Sequence, residues 1–222
     1  MSDALPAGVL WDMDGTLVDT EPYWMACEYA LVAAHGGVWS DEHAHALVGN
    51  DLLVSARYIA LHGPVPLPPE QIVDILLDGV VERVLDHVPW RPGARELLAA
   101  LTVEGVPNAL VTMSWTRLAE AVLADLPPNA FAAVVTGDQV RHGKPHPEPY
   151  LLAARRLGLA PADCVAIEDS PTGIASAAAA GVPVIGVQHL VTLTGHTTGP
   201  VLTTLEGVHP LDLLPLVAAT RP

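Results

Sequence analysis

Two carboxylates, Asp12 and Asp14, stand two residues apart where an apolar run from Ala7 to Trp11 stops, and Gly15 and Thr16 follow them. Paired acids at the end of a buried strand suit a divalent cation, because hard cations prefer oxygen ligands. The same residues also suit a solvated turn in which Gly15 takes a positive backbone angle. The residue types alone leave both open. A third possibility is a calcium loop beginning at Leu10 and using Asp12, Asp14, Gly15, Leu17 and Glu21. Leu10 argues against it, since such a loop opens on Asp and follows a helix.

The elements that must position these acids alternate. Apolar runs too short for helices lie at Ala7 to Trp11, Pro107 to Thr112, Phe131 to Thr136, Cys164 to Ile167 and Val182 to Val187. Between them, helical patterns cover Gly93 to Glu104, Trp115 to Ala124, Glu148 to Leu157 and Gly173 to Ala180. Continuous apolar strands alternating with helices imply an α/β fold, an open parallel Rossmann-like sheet with helices on both faces. A last helix is expected near Leu211 to Ala218.

Alternation fails from Asp19 to about Val88, where four helical segments follow one another. Thr20, Ser40 and Asn50 are candidate caps for the first three, with Pro22 in the first turn and a stop at Gly36 and Gly37. Ile72, Leu76, Val80 and Val84 form the apolar ladder of the fourth. The expected organisation is a core of residues 1–18 and 89–222 with an all-helical cap, 19–88, inserted in it.

Composition narrows the partners. Lys and Arg number 10 against 25 Asp and Glu, a net charge of −15. That field repels nucleic acid and anionic membranes, so neither is expected. A phosphorylated substrate would need local positive charge from a metal, helix amino termini or Lys144, the only lysine. No run reaches the roughly 18 to 20 apolar residues of a membrane span, and the first eight residues do not read as a secretory signal. A cytoplasmic protein is expected, with Cys27 and Cys164 as small buried fillers. Monomer and dimer are not separable from the sequence.

From Asp12 through Val18 and on to Asp19-Thr20-Glu21-Pro22, the chain resembles the haloacid dehalogenase superfamily, whose first motif is Asp-x-Asp-Gly-Thr-Leu/Val. The second motif, a Ser or Thr closing the next core strand, is matched by Thr112 in Ala109 to Ser114. Lys144-Pro145 matches the third, a lysine followed by proline, and Glu168-Asp169 matches the fourth, an acidic pair. The likeness covers nearly the whole chain, including a helical cap after the first motif, as in the phosphoglucomutase-like branch. Open parallel sheets bind ligands beyond the carboxyl ends of their strands, where all four segments would converge.

The resemblance implies roles. Asp12 would be the nucleophile that takes up a phosphoryl group, and Asp14 the acid and base. Magnesium would be bound by Asp12, Asp14 through its backbone carbonyl, and Asp169, with Glu168 behind them. Lys144 would neutralise charge, while Thr112, Ser114 and backbone amides would bind phosphoryl oxygens. A cis Lys144–Pro145 bond, and hinges near Val18 to Thr20 and Val88 to Arg91, are further expectations. His43 and His45, two apart in a helical stretch, read as structural or solvated. His146, beside Lys144, could reach the cleft, and Trp24 and Trp115 follow motifs closely enough to approach a substrate.

Asp14 argues against a dehalogenase, which needs no acid for a departing halide. The lack of a second lysine excludes a Schiff-base hydrolase of the phosphonoacetaldehyde type. The expected function is a magnesium-dependent phosphatase acting on a small sugar- or polyol-phosphate ester through an aspartyl phosphate. The rival is a hexose phosphate mutase, whose cap histidine is replaced by Trp24 and whose cap arginine position, near Gly49, holds Leu52 or its neighbours; Arg57 or Arg83 would have to substitute. A non-catalytic phosphate-ligand binder is the third reading.

Overall fold

The computed structural model describes residues 4–48, 50–197 and 199–219. Six strands form one parallel sheet in the order β3-β2-β1-β4-β5-β6. They are β1 (Gly8–Trp11), β2 (Asn108–Val111), β3 (Ala133–Val135), β4 (Cys164–Glu168), β5 (Val184–Val187) and β6 (Val201–Leu202). Leu10 of β1 stands between Ala109 and Ala166. The switch of strand order thus falls beside β1, where such sheets open a crevice at their carboxyl ends.

Strand side chains alternate between two cores. Val9, Trp11, Leu110, Val165, Ile167, Ile185 and Val187 join α5 (Ala94–Val103), α6 (Thr116–Leu123) and α9 (Leu213–Ala218) on one face. Leu10, Ala109, Val111, Cys164, Ala166 and Val184 meet α7 (Glu148–Leu157) and α8 (Pro171–Ala179) on the other. Both faces are covered, so the strands carry almost no polar side chain. There are two buried exceptions: Glu168, which ends β4, and Asn108, which accepts a hydrogen bond from Trp11 Nε1 at 2.9 Å, so neither Asn108 nor Trp11 is left unpaired.

Between β1 and α5 the chain forms α1 (Glu21–Ala34), α2 (Asp41–His45), α3 (Leu52–His62) and α4 (Pro69–Asp86). It leaves and returns side by side: Asp19 N donates to Pro89 O at 2.9 Å and Arg91 N to Leu17 O at 2.8 Å. The two linkers are the segments expected to hinge. Arg117 of α6 reaches Asp78 of α4 at 2.7 Å.

Of the three expected caps, one holds and two shift. Ser40 caps α2, accepting from His43 N. Helix α3 is capped by Asp51, which accepts from Leu53 N and Val54 N, while the Asn50 amide turns back to Ala46 O. A carboxylate at the helix amino end satisfies two free N–H groups and faces the favourable end of the dipole. Thr20 precedes α1 but makes no side-chain cap, its hydroxyl being used by Asp14. Strand β6 was not foreseen. Cys27 and Cys164 are buried and free. Among the described residues, no helix is long and apolar enough to cross a membrane.

Candidate active site

The first loop is built around Asp12. Its backbone N–H extends the β1 ladder to Ile167 O at 3.0 Å, after which Leu17 N and Val18 N both return to Met13 O. This tight turn puts Gly15 at φ +89°, with space for a Cβ only 2.0 Å from Asp169 Oδ2. Any side chain there would expel Asp169, which explains the glycine on two grounds. Thr16 Oγ1 lies 3.4 Å from Asp169 Oδ1.

Lys144 enters from the loop before α7, and its peptide bond to Pro145 is cis. Its Nζ stands 2.5 Å from Asp12 Oδ1 and 2.6 Å from Glu168 Oε1, with the side chain 5% exposed. Glu168, fully buried, has both oxygens occupied. Oε1 accepts from Lys144 and from Tyr150 at 2.8 Å, and Oε2 from Ser170 N and Ser170 Oγ. Gly173 leaves room for that carboxylate, since a Cβ there would fall 1.7 Å from Glu168 Oε1.

Asp14 faces the second motif. It accepts from Thr20 Oγ1, from Ser114 Oγ at 2.8 Å and from Thr112 Oγ1 at 3.3 Å. Ser114 N in turn donates to Thr112 Oγ1 at 3.0 Å.

Three carboxylates against one ammonium is an unbalanced buried cluster. Burial pushes Asp12 up to about 7, against the pull of Lys144 and with the help of Glu168. Asp169 is raised well above the usual carboxylate range by burial, then by Asp12 and Glu168. Burial disfavours the charge on Lys144, yet Asp12 and Glu168 outweigh it and hold its pKa above the ordinary lysine value. Asp12, Glu168 and Asp169 offer oxygens within 4.8 Å of one another, and Asp12 Oδ2 is buried without a hydrogen-bond partner. An oxygen-only donor set, an excess of negative charge and an orphaned carboxylate oxygen fit a hard divalent cation. With its oxygens already engaged by four donors, Glu168 is suited to orient the others rather than to ligate.

A cavity of about 570 Å³ opens over this cluster. Asp12, Asp14, Thr112, Ser114, Lys144 and Asp169 all line it, so the sequence-derived site residues meet in one place, with Glu168 behind them. Trp24 lines it as well. Trp115 does not, packing instead against the core. His43 stacks on Trp39 and bonds Tyr58 OH, and His45 bonds Asp41 O. His146 turns away from the cavity to an exposed group with His142 and Glu148, where Glu148 already accepts from Arg141 N and His142 N.

Several residues escaped the sequence reading. Tyr150, which braces Glu168, could have been noticed as the aromatic closing the Lys144 to Tyr150 string. Glu28 and Glu21 line the opposite wall from α1. His189 also lines the cavity, and its Nδ1 meets Arg91 NH1 at 2.6 Å. Its Nε2 lies 3.2 Å from Asp19 Oδ1 but without hydrogen-bond alignment. Both linkers therefore touch one core histidine, whose pKa is lowered by burial and Arg91.

The class that fold and site define is an α/β enzyme with strand-end acids gathered around a buried lysine. The haloacid dehalogenase-like hydrolase family matches residues 6–181, and the chain belongs to it as a phosphoric monoester hydrolase. Hexitol phosphatase A of Escherichia coli K12 is 36% identical over 190 residues, 81% of this chain and 82% of the relative. Fructose-1-phosphate phosphatase YqaB of the same organism is 34% identical over 185 residues, 83% and 97% of the two chains. Among solved structures, CbbY from Rhodobacter sphaeroides in complex with phosphate has a TM-score of 0.83 at 26% identity, covering 94% of this chain and all of that one. β-Phosphoglucomutase from Clostridium difficile, at 20% identity and TM-score 0.81 over 97% of this chain and 98% of its own, shares the fold.

Proposed function

We propose that the chain is a magnesium-dependent phosphatase that hydrolyses a small sugar- or polyol-phosphate through an aspartyl phosphate on Asp12. The observation that carries this reading is the state of Asp12. One oxygen is fixed by Lys144 and the other is unpartnered beside Asp169, in a cavity lined by hydroxyls.

In the first step an Asp12 oxygen attacks phosphorus in line, and the bond from phosphorus to the ester oxygen breaks. Asp14, steadied by Thr20 and Ser114, gives its proton to the departing alcohol. In the second, Asp14 takes a proton from water as that water attacks phosphorus, and the Asp12 carboxylate is released. Lys144 offsets charge on the phosphoryl oxygens throughout, with Thr112 and Ser114 as further donors. A magnesium ion held by Asp12, Asp169 and the Asp14 carbonyl would neutralise charge on the transferring group.

The same proposal divides the chain into a core, residues 1–18 and 89–222, and a cap, 19–88, hinged at the paired linkers. Hydrolysis is preferred to mutation because neither Arg57 nor Arg83 lines the cavity. Arg83 is committed to Gly79 O and Cys27 Sγ. Leu52 does line the cavity, while Gly49 lies outside the described residues. Intact Asp12, Asp14 and Asp169 argue against a mere binder. The test is phosphate release from a panel of sugar and polyol phosphates with and without magnesium. Turnover that requires the metal and disappears in Asp12→Asn supports the reading; release that survives Asp12→Asn refutes it.

A further inference from the structure

The cavity has two chemically opposed ends. Every cationic or histidine side chain lining it, Lys144, Arg141 and His189, comes from the sheet-forming part of the chain. Among the described residues, the inserted helices contribute no Lys, Arg or His to the lining. They contribute acids. Glu21, Trp24 and Glu28 all line the cavity, and their spacing on α1 puts them on one helix stripe, an indole between two carboxylates.

Neither carboxylate is neutralised by a charged partner. Glu21 makes no hydrogen bond among the described residues. Glu28, only 4% exposed, uses Oε2 to accept from Trp39 Nε1 at 3.2 Å. Burying acids without cations is costly unless a ligand or a proton compensates. The arrangement is therefore poorly explained by folding alone.

Resting on the phosphatase reading, we infer that the alcohol part of the substrate is an uncharged polyhydroxylated chain held by Glu21, Trp24 and Glu28, and that these residues reject esters carrying a second anionic group. With the phosphate near Lys144, the remainder of a small ester extends toward α1. A second phosphate or a carboxylate would there lose its hydration with no compensating cation, beside two acids that repel it whenever they are ionised, a combination of the kind that produces specificity. Hydroxyls would be accepted, because carboxyl groups form strong hydrogen bonds with them. The indole face would cover the intervening C–H surface. Burial raises Glu21 to about 8, with Asp14 adding to the shift, and raises Glu28 to about 7. Near neutrality both groups can then donate as well as accept, as the hydroxyls of such a chain do.

The experiment compares kcat/KM of the full chain with magnesium for three esters: a hexitol monophosphate, a hexose bisphosphate and phosphoglycolate. The hexitol ester is expected to exceed each of the others by about 100-fold or more. Glu21→Lys is expected to raise the bisphosphate-to-hexitol ratio at least about tenfold, with Glu21→Gln between it and the wild type; melting curves confirm that both variants fold. Equal or better turnover of the bisphosphate or phosphoglycolate by the wild type overturns the inference, as does a ratio unmoved in both folded variants. Calorimetric affinities of Asp12→Asn for the same esters read the preference without turnover. No hydrolysis with the hexitol ester still bound tightest would remove the phosphatase reading alone.

Discussion

Two groups of acids face each other across the cavity, and their surroundings give them different work. At the strand ends, Asp12 and Glu168 share the Lys144 ammonium, and Glu168 has every lone pair direction answered by a donor. On α1, Glu21 and Glu28 have no cation, and burial drives both toward protonation near neutral pH. Burial raises Asp12 and Asp169 as well, but that set is gathered around a buried ammonium, and a bound divalent cation would hold it charged; the α1 pair has no such partner and loses charge. Residue type alone does not assign a carboxylate its function; its partners and solvent access do.

The sharpest way to break this contrast is at Asp12. Asp12→Asn removes the proposed nucleophile while keeping size and shape, so kcat should fall on the order of 10⁴-fold with little change in melting temperature. Stopped assays on the preferred ester measure it, and a loss below about tenfold would mean the strand-end acids are not the reacting set. Chelation comes next. Removing divalent metal should abolish turnover and also lower stability, because a ligand at about 100 times its Kd stabilises the native state by about 2.7 kcal/mol. Thermal melts with and without magnesium give the second readout, and the magnesium-dependent gain should shrink in Asp169→Asn.

Lys144→Met tests the pairing itself. It leaves Asp12 and Glu168 buried together without their cation, and breaking such a pair costs about 3–5 kcal/mol. Urea unfolding of the metal-free protein should show that loss near neutral pH and a smaller one in acid, where the carboxylates protonate. An unchanged midpoint would show that the strand-end acids, like those of α1, are already neutral.

Much of this was legible beforehand, for identifiable reasons. Parallel strands covered on both faces leave apolar runs that end where a polar site begins, so Asp12, Thr112 and Glu168 stood out at the ends of β1, β2 and β4. The inserted helices were readable from the failure of alternation after Asp19. Other features left no local signal. Strand β6 is two residues at an edge, Val201 and Leu202, too short for any periodicity. Asp51 and Asn50 are equally good caps, and only the chain direction at α3 selects Asp51. Glu28 on a helix reads as a solvated face, and its burial against Trp39 depends on tertiary packing. The pull of Trp39, Tyr150 and His189 on the site crosses long stretches of chain that no spacing encodes.

A subtler probe of the α1 wall is pH. Glu28 is raised from 4.5 to about 7, chiefly by burial. Since its folded pKa lies above the unfolded one, its favourable contribution is complete below about 4.5 and is lost as pH rises through about 7. Glu28→Gln removes that titration. The variant should gain on the wild type between these pH values, by on the order of 3 kcal/mol at pH 8, while near pH 4 the two should differ little. Urea midpoints across that range measure it, and parallel curves would show Glu28 to be well solvated.

The smallest effect is expected where the two regions touch at the surface. Arg117 of α6 meets Asp78 of α4 at 2.7 Å, with the side chains 45% and 68% exposed. An exposed pair gains little in high dielectric and must immobilise two long side chains, so Arg117→Ala should cost less than about 0.5 kcal/mol. For a chain of this size that is a melting shift of about 1–2 °C. Kinetics can be more sensitive than stability here. If the inserted helices close over the substrate as one body, loosening this contact should alter KM while leaving Asp12 chemistry intact. A loss above about 1 kcal/mol would instead mean that the acidic wall and the strand-end site are stiffly joined, and that closure is not free to set substrate affinity.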